Sequence, residues 1–159
     1  MANIIPPRPR FVGATKRTFA MVASQFNAEY VQGLVTHATN ELRRLAPNAA
    51  LNLYQVPGAF EIPIVVRELA SQKKADAIIA LAVILKGKTG HAQNLSHSVT
   101  NALQQIAVEH GVPVINAVLS LTSQAQARER CLEEEINRGT EAARAAIEIT
   151  NVMADLRAK

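Results

Sequence analysis

The chain has 159 residues, 48% of them hydrophobic and 19% charged, the composition of one globular domain with a sizeable core and not of a disordered segment. Lys and Arg number 17 against 13 Asp and Glu, a net charge of +4 that favours anionic partners in general without selecting nucleic acid. Aromatics at 4% with no Trp exclude a base-stacking surface, and Cys131 as the lone cysteine excludes an internal disulfide framework and a multi-cysteine metal site.

Residues 1–12 interleave Pro6, Pro7 and Pro9 with Arg8 and Arg10. This segment lacks the apolar stretch of a secretory signal and reads as an extended arm, free to add a strand to this chain's sheet or to a neighbour's. Its two arginines are a small footprint for nucleic acid. No apolar run approaches the ~18 residues of a membrane span. The expected setting is the cytoplasm, with residues 13–159 as a single domain.

Residues 17–24 (RTFAMVAS) are a β-rich apolar run and predict the first strand. Val31, Leu34, Val35, Ala38, Leu42 and Leu45 then recur on one helical stripe. A second strand is expected at 51–56 (LNLYQV), followed by a helix on the period of Ile62, Val65, Val66 and Leu69. Residues 77–85 (AIIALAVIL) are apolar throughout and 114–120 (VINAVLS) nearly so, as in strands covered on both faces. Between them, Leu95, Val99, Leu103 and Ile106 mark a third helix. Thr122 and Ser123 are placed to cap a short helix containing Arg130, and a longer C-terminal helix is expected to carry Ala143, Ile147, Val152 and Leu156. Strands alternating with helices imply right-handed crossovers: an α/β fold, a three-layer α/β/α sandwich around a central four-stranded parallel sheet.

Ligands bind such sheets beyond the carboxyl ends of the strands, so the loops leaving the strands hold the candidates. Gly87-Lys88-Thr89 resembles the end of a P-loop, but Ala82 stands where that motif needs its first glycine, which sets a nucleotide triphosphatase aside. Small residues there still allow backbone N–H groups to face an anion. His91 follows at once, on the first turn of a helix, where the positive helix end favours the neutral ring and so a usable base. Glu61 opens the helix after Val56-Pro57-Gly58, either as a dipole-complementing surface group or as an acceptor for polyol hydroxyls. Phe26-Asn27 pairs a flat face with an amide, suited to a heterocycle; the ordinary alternative is Phe in the core and Asn as a helix cap. Arg130 is either part of a solvated charged face or a bidentate phosphate binder. His37 and His110 read as surface residues, His97 does not face His91, Cys131 reads as buried and apolar, and no spacing suits a metal.

In order, Ala23-Ser24-Gln25-Phe26-Asn27, Val56-Pro57-Gly58-Ala59-Phe60-Glu61-Ile62-Pro63, residues 82–91 (AVILKGKTGH), Gly111-Val112-Pro113-Val114-Ile115, Gln126-Ala127-Arg128-Glu129-Arg130 and Asn137-Arg138-Gly139-Thr140-Glu141-Ala142-Ala143 resemble the lumazine synthase family. The resemblance covers nearly all of the chain after the arm. It implies a flavodoxin-like fold and condensation of 5-amino-6-(D-ribitylamino)uracil with 3,4-dihydroxy-2-butanone 4-phosphate to 6,7-dimethyl-8-ribityllumazine, in riboflavin biosynthesis, without metal or organic cofactor. It further implies that Phe26 stacks on the pyrimidine with Asn27 nearby, and that Ala59, Phe60 and Glu61 meet the ribityl chain and ring. Val83, Ile84 and Leu85 would line the ring pocket. Gly87, Lys88 and Thr89 would approach the phosphate, with Arg130 as its cation and His91 as the proton carrier. Asn116, Arg138 and Glu141 fall on substrate-contacting positions, the last two supplied by an adjacent subunit of a pentamer. Departures from the family pattern are Ala92, Gln93 and Asn94 in place of an aromatic and an acid after the histidine, Asn116 in place of Phe, and Arg138 in place of Lys. Alternatives on the same fold are a noncatalytic lumazine- or flavin-binding protein and an archaeal-type riboflavin synthase. Residues 132–137 (LEEEIN) lack the glycines of shell-forming members, so the helix is expected to run on there, and pentamers or paired pentamers are expected instead of a shell.

Overall fold

The structure is a computed structural model that describes residues 3–12 and 16–158. Strands β1 (Thr18–Ser24), β2 (Ala50–Val56), β3 (Ala77–Leu85) and β4 (Val114–Leu121) form one parallel sheet in the order β2-β1-β3-β4. They lie within one residue of the expected bounds. Helices α1 (Ala28–Leu45), α2 (Ile62–Ser71), α3 (His91–His110), α4 (Gln124–Cys131) and α5 (Arg138–Ala158) connect and follow the strands. The α/β sandwich expected from the alternation is the fold observed.

Side chains alternate across the pleat. Phe19, Met21, Ala23, Ile79, Leu81 and Val83 share a core with α1, α4 and α5, while Ala20, Val22, Ile78, Ala80, Ala82 and Ile84 share the opposite core with α2 and α3. Burial of each large side chain here, such as Leu34, Leu42, Ile78 and Ile79, contributes about 1.5–3 kcal/mol. β3 is covered on both faces as expected; β4 is an edge strand whose first half stays partly open, with Asn116 exposed. The chain leaves β1 toward β2 on one side and reaches β3 on the other. Where the strand order reverses, the loops diverge and leave a crevice above β1 and β3.

Two expectations are corrected. The described part of the arm, residues 3–12, adds no strand to this chain's own sheet. It lies along α1 and α5 instead, because its polar groups find side-chain partners there: Arg8 Nε donates to Glu41, Arg144 donates to the carbonyl of Pro6 at 2.5 Å, and Asn151 Nδ2 donates to the carbonyl of Arg10 at 2.7 Å. The junction of arm and domain, residues 13–15, lies outside the described residues. Helix α5 carries Ala143, Ile147, Val152 and Leu156 as expected, the first two buried and the last two 51% and 61% exposed. Residues 132–137 do not continue the helix. Buried Asn137 replaces a glycine bend: its Oδ1 accepts from Gly139 and Thr140 N–H, and its Nδ2 donates to the carbonyl of Glu133. The turn brings α5 hard against α1, where a Cβ on Gly139 would stand 2.3 Å from the carbonyl oxygen of Leu34.

Glu41, 5% exposed, clamps this region. Burial alone raises its carboxyl, but hydrogen bonds and charge from Arg144 and Arg8 outweigh it and hold the group below the usual carboxylate range. A depressed folded pKa adds stability that is complete above the unfolded value of about 4.3 and is lost as pH falls through the folded value. The melting temperature of the parent is therefore expected to exceed that of Glu41→Gln at neutral pH. That margin should shrink from about pH 5 downward. Parallel melting profiles from pH 7 to pH 3 would remove Glu41 as the source.

Candidate active site

The crevice above β1 and β3 is a cleft of about 550 Å³. Its first wall is the loop after β1. Gln25 and Phe26 donate their backbone N–H groups to the carbonyls of Val56 and Pro57 at 2.8 and 3.1 Å, tying this loop to the end of β2. Asn27 then turns the chain through the left-handed region (φ 58°, ψ 47°), a conformation that Asn tolerates better than most residues. Its Nδ2 donates to the carbonyl of Val83 at 2.7 Å, which ties the same loop to β3. Both ordinary readings of this pair fail: Phe26 is 71% exposed, and the Asn27 side chain does not cap α1. An exposed aromatic held by three tethers at a cleft is placed for a flat ligand.

Val56-Pro57-Gly58 ends β2 and a short 3₁₀ turn, Ala59–Glu61, follows. Ala59 is buried and supports the cleft, while Phe60, 69% exposed, and the carboxylate of Glu61 stand at its mouth. Val83, Ile84 and Leu85 form the floor at the end of β3. His91 is the first residue of α3 and lines the cleft opposite them. Among the described residues its ring makes no hydrogen bond, which leaves both nitrogens unengaged. Gly87, Lys88 and Thr89 lie in the exposed turn before it, anchored by the Lys86 N–H to the carbonyl of Leu121 at 2.9 Å. One fold feature thus assembles nine of the predicted residues: Phe26, Asn27, Ala59, Phe60, Glu61, Val83, Ile84, Leu85 and His91.

Others are not brought there. Asn116, Arg138 and Glu141 line a second cleft, about 520 Å³, along β4 and α5. Its lining shares no residue with the first. Buried Arg138 donates to Glu141 Oε2 at 2.5 Å, and Asn116 accepts from the N–H of Val118 and donates to Thr100 Oγ1. Arg130, 7% exposed on α4 and paired with Glu129 at 3.1 Å, is no part of a solvated face. Ser123 caps α4 as expected, accepting from Gln126. His37 is half-buried and donates from Nε2 to the carbonyl of Leu132, which corrects its surface reading. Burial pushes the Cys131 thiol up to about 12, leaving it inert as a nucleophile.

Ser24, Gly58, Ala92 and Leu95 also line the first cleft and were not singled out from sequence. Helical phase was the available signal for Leu95, one turn from His91 on the same face.

Residues 16–154 match the family model of 6,7-dimethyl-8-ribityllumazine synthase. The chain belongs to the 6,7-dimethyl-8-ribityllumazine synthase family. Among curated members, a 6,7-dimethyl-8-ribityllumazine synthase of Halorhodospira halophila is 39% identical over 141 residues, spanning 88% of this chain and 90% of that protein. A de novo designed Rossmann-fold protein overlays with a TM-score of 0.39 at 16% identity, covering 71% of this chain and 91% of that one, too loosely to inform the site. The lumazine synthase match takes in the residues of both clefts. Among the described residues, no helix is long and apolar enough to cross a membrane.

Proposed function

We propose that the chain joins 5-amino-6-(D-ribitylamino)uracil to 3,4-dihydroxy-2-butanone 4-phosphate, giving 6,7-dimethyl-8-ribityllumazine, phosphate and water. The observation that carries this reading is the meeting of Phe26, Glu61 and His91 in one cleft at the strand-order reversal of a chain of this family. Phe26 stacks on the pyrimidine against the floor of Val83, Ile84 and Leu85. Asn27 holds the loop, and Ala59, Phe60 and Glu61 meet the ribityl hydroxyls. Gly87, Lys88 and Thr89 receive the phosphate, and Arg130, which lies outside this cleft within the chain, is the cation proposed for it. The amine attacks the ketone and water leaves as the imine forms; phosphate is then eliminated, the resulting enol becomes a carbonyl, and the ribitylamino nitrogen attacks it, closing the ring as a second water leaves. Each step moves a proton, and one imidazole at His91 serves them in turn. Holding the two reactants side by side removes much of the entropic barrier, so no further chemical group is needed.

Mixing the two substrates with purified protein and following lumazine formation tests the reading. Ligand affinity without turnover would identify a binding protein instead, and riboflavin formation from lumazine alone would identify a riboflavin synthase.

The second cleft supports a site shared between subunits. Asn116, Arg138 and Glu141 lie on the opposite edge of the sheet and complete the first cleft of an adjacent copy. The resemblance to lumazine synthases makes that assembly a pentamer, single or paired. Glu133, Glu134 and Glu135 are exposed on the turn before α5, where the copies of a larger shell would bring like charges together. Light scattering on untagged protein at neutral pH is expected to give five or ten chains. A dominant hollow shell would overturn the assembly and leave the reaction standing.

A further inference from the structure

Where the arm crosses α1 and α5 there is a polar cavity of about 330 Å³, separate from both clefts. Arg8 of the arm, Arg44 of α1 and Arg144 of α5 line it, against the carboxylates of Glu41 and Glu134. Three guanidinium groups face two carboxylates, which leaves one positive charge uncompensated in the cavity. Glu41 is consumed by the Nε atoms of Arg8 and Arg144. Among the described residues, the terminal nitrogens of Arg8 and the whole guanidinium of Arg44 make no hydrogen bond. Asn40 adds an amide to the same wall. The forked donors of arginine match the geometry of a tetrahedral oxyanion.

We propose that this cavity binds a small tetrahedral oxyanion, a phosphate or phosphomonoester, which bridges Arg8 to Arg44 and clasps the arm to the α1–α5 face. The site is independent of the proposed reaction, since it uses no residue of either cleft. Bound anion completes the charge balance and joins arm to domain through groups that otherwise face water.

The test is calorimetric titration of the full-length protein with inorganic phosphate at fixed ionic strength, in an Arg130→Ala background so that the catalytic cleft adds no signal. Saturable binding is expected, weakened about tenfold or more by Arg44→Met and partly restored by Arg44→Lys. Titration with glycerol phosphate separates the two sources, and binding of either anion supports the site. A second readout is trypsin cleavage after Arg10, which phosphate should slow in the parent and not in Arg44→Met. Turnover of Arg44→Met should equal that of the parent. No saturable binding of either anion, or binding indifferent to Arg44→Met, overturns the proposal.

Discussion

His91→Ala is expected to lower turnover about 10²–10⁴-fold at saturating concentrations of both substrates, with their binding nearly unchanged. The imidazole stands at the start of α3 with no hydrogen-bonded partner among the described residues, so removing it orphans no other group and leaves the helix intact. Its contribution is then confined to proton transfers in the transition states, and an interaction made only there shows in kcat. Single-turnover formation of lumazine measures this directly. Turnover equal to the parent's would take His91 out of the mechanism, whereas a rise in KM alone would make it a binding group.

Gly139→Ala is expected to destabilise the fold by about 1–3 kcal/mol, the range for an overpacked core. The added methyl would sit 2.3 Å from the Leu34 carbonyl oxygen, a backbone atom of a fully buried residue that no side-chain rotation can move aside. Helices α1 and α5 must separate, and Asn137, whose Oδ1 would also lie 3.0 Å away, must loosen its hold on the first turn of α5. Gly87→Ala is the control: nothing lies within 4 Å of its Cβ position, so its melting temperature should match the parent's. Melting at matched protein concentration decides between them, and equal values for Gly139→Ala and the parent would mean that the helix pair is softer than its geometry.

The strands and helices were legible because both periodicities were strong. The run at 77–85 reads as a doubly covered strand, and the Val31–Leu34–Ala38–Leu42 stripe is buried as the pattern requires. Failures came where side-chain hydrogen bonds override propensity. Nothing local says that the Asn137 amide supplies the turn that two missing glycines would otherwise make, or that prolines and arginines of the arm fasten to helices instead of pairing as a strand. The site was legible in part for a related reason. Loops at strand ends can be read as ligand-facing, but which of them converge depends on strand order, and the order β2-β1-β3-β4 is written in no single segment. So Phe26 and His91, named from separate segments, line one cleft, and Arg138 and Glu141, which the family resemblance assigned to an adjacent subunit, line another, while the place of Asn116 beside those two needed coordinates.

That division has an arithmetic of its own. When each working site needs one copy's cleft and the next copy's edge, sites are counted by contacts between copies. An open row of chains always ends with one bare cleft and one bare edge, so it carries one site fewer than it has chains. Closing the row into a ring matches those two ends and removes the deficit, and no smaller step does so. On the shared site proposed above, a lone chain would hold every residue of the chemistry and perform none of it, and ring closure would be the event that completes the last site.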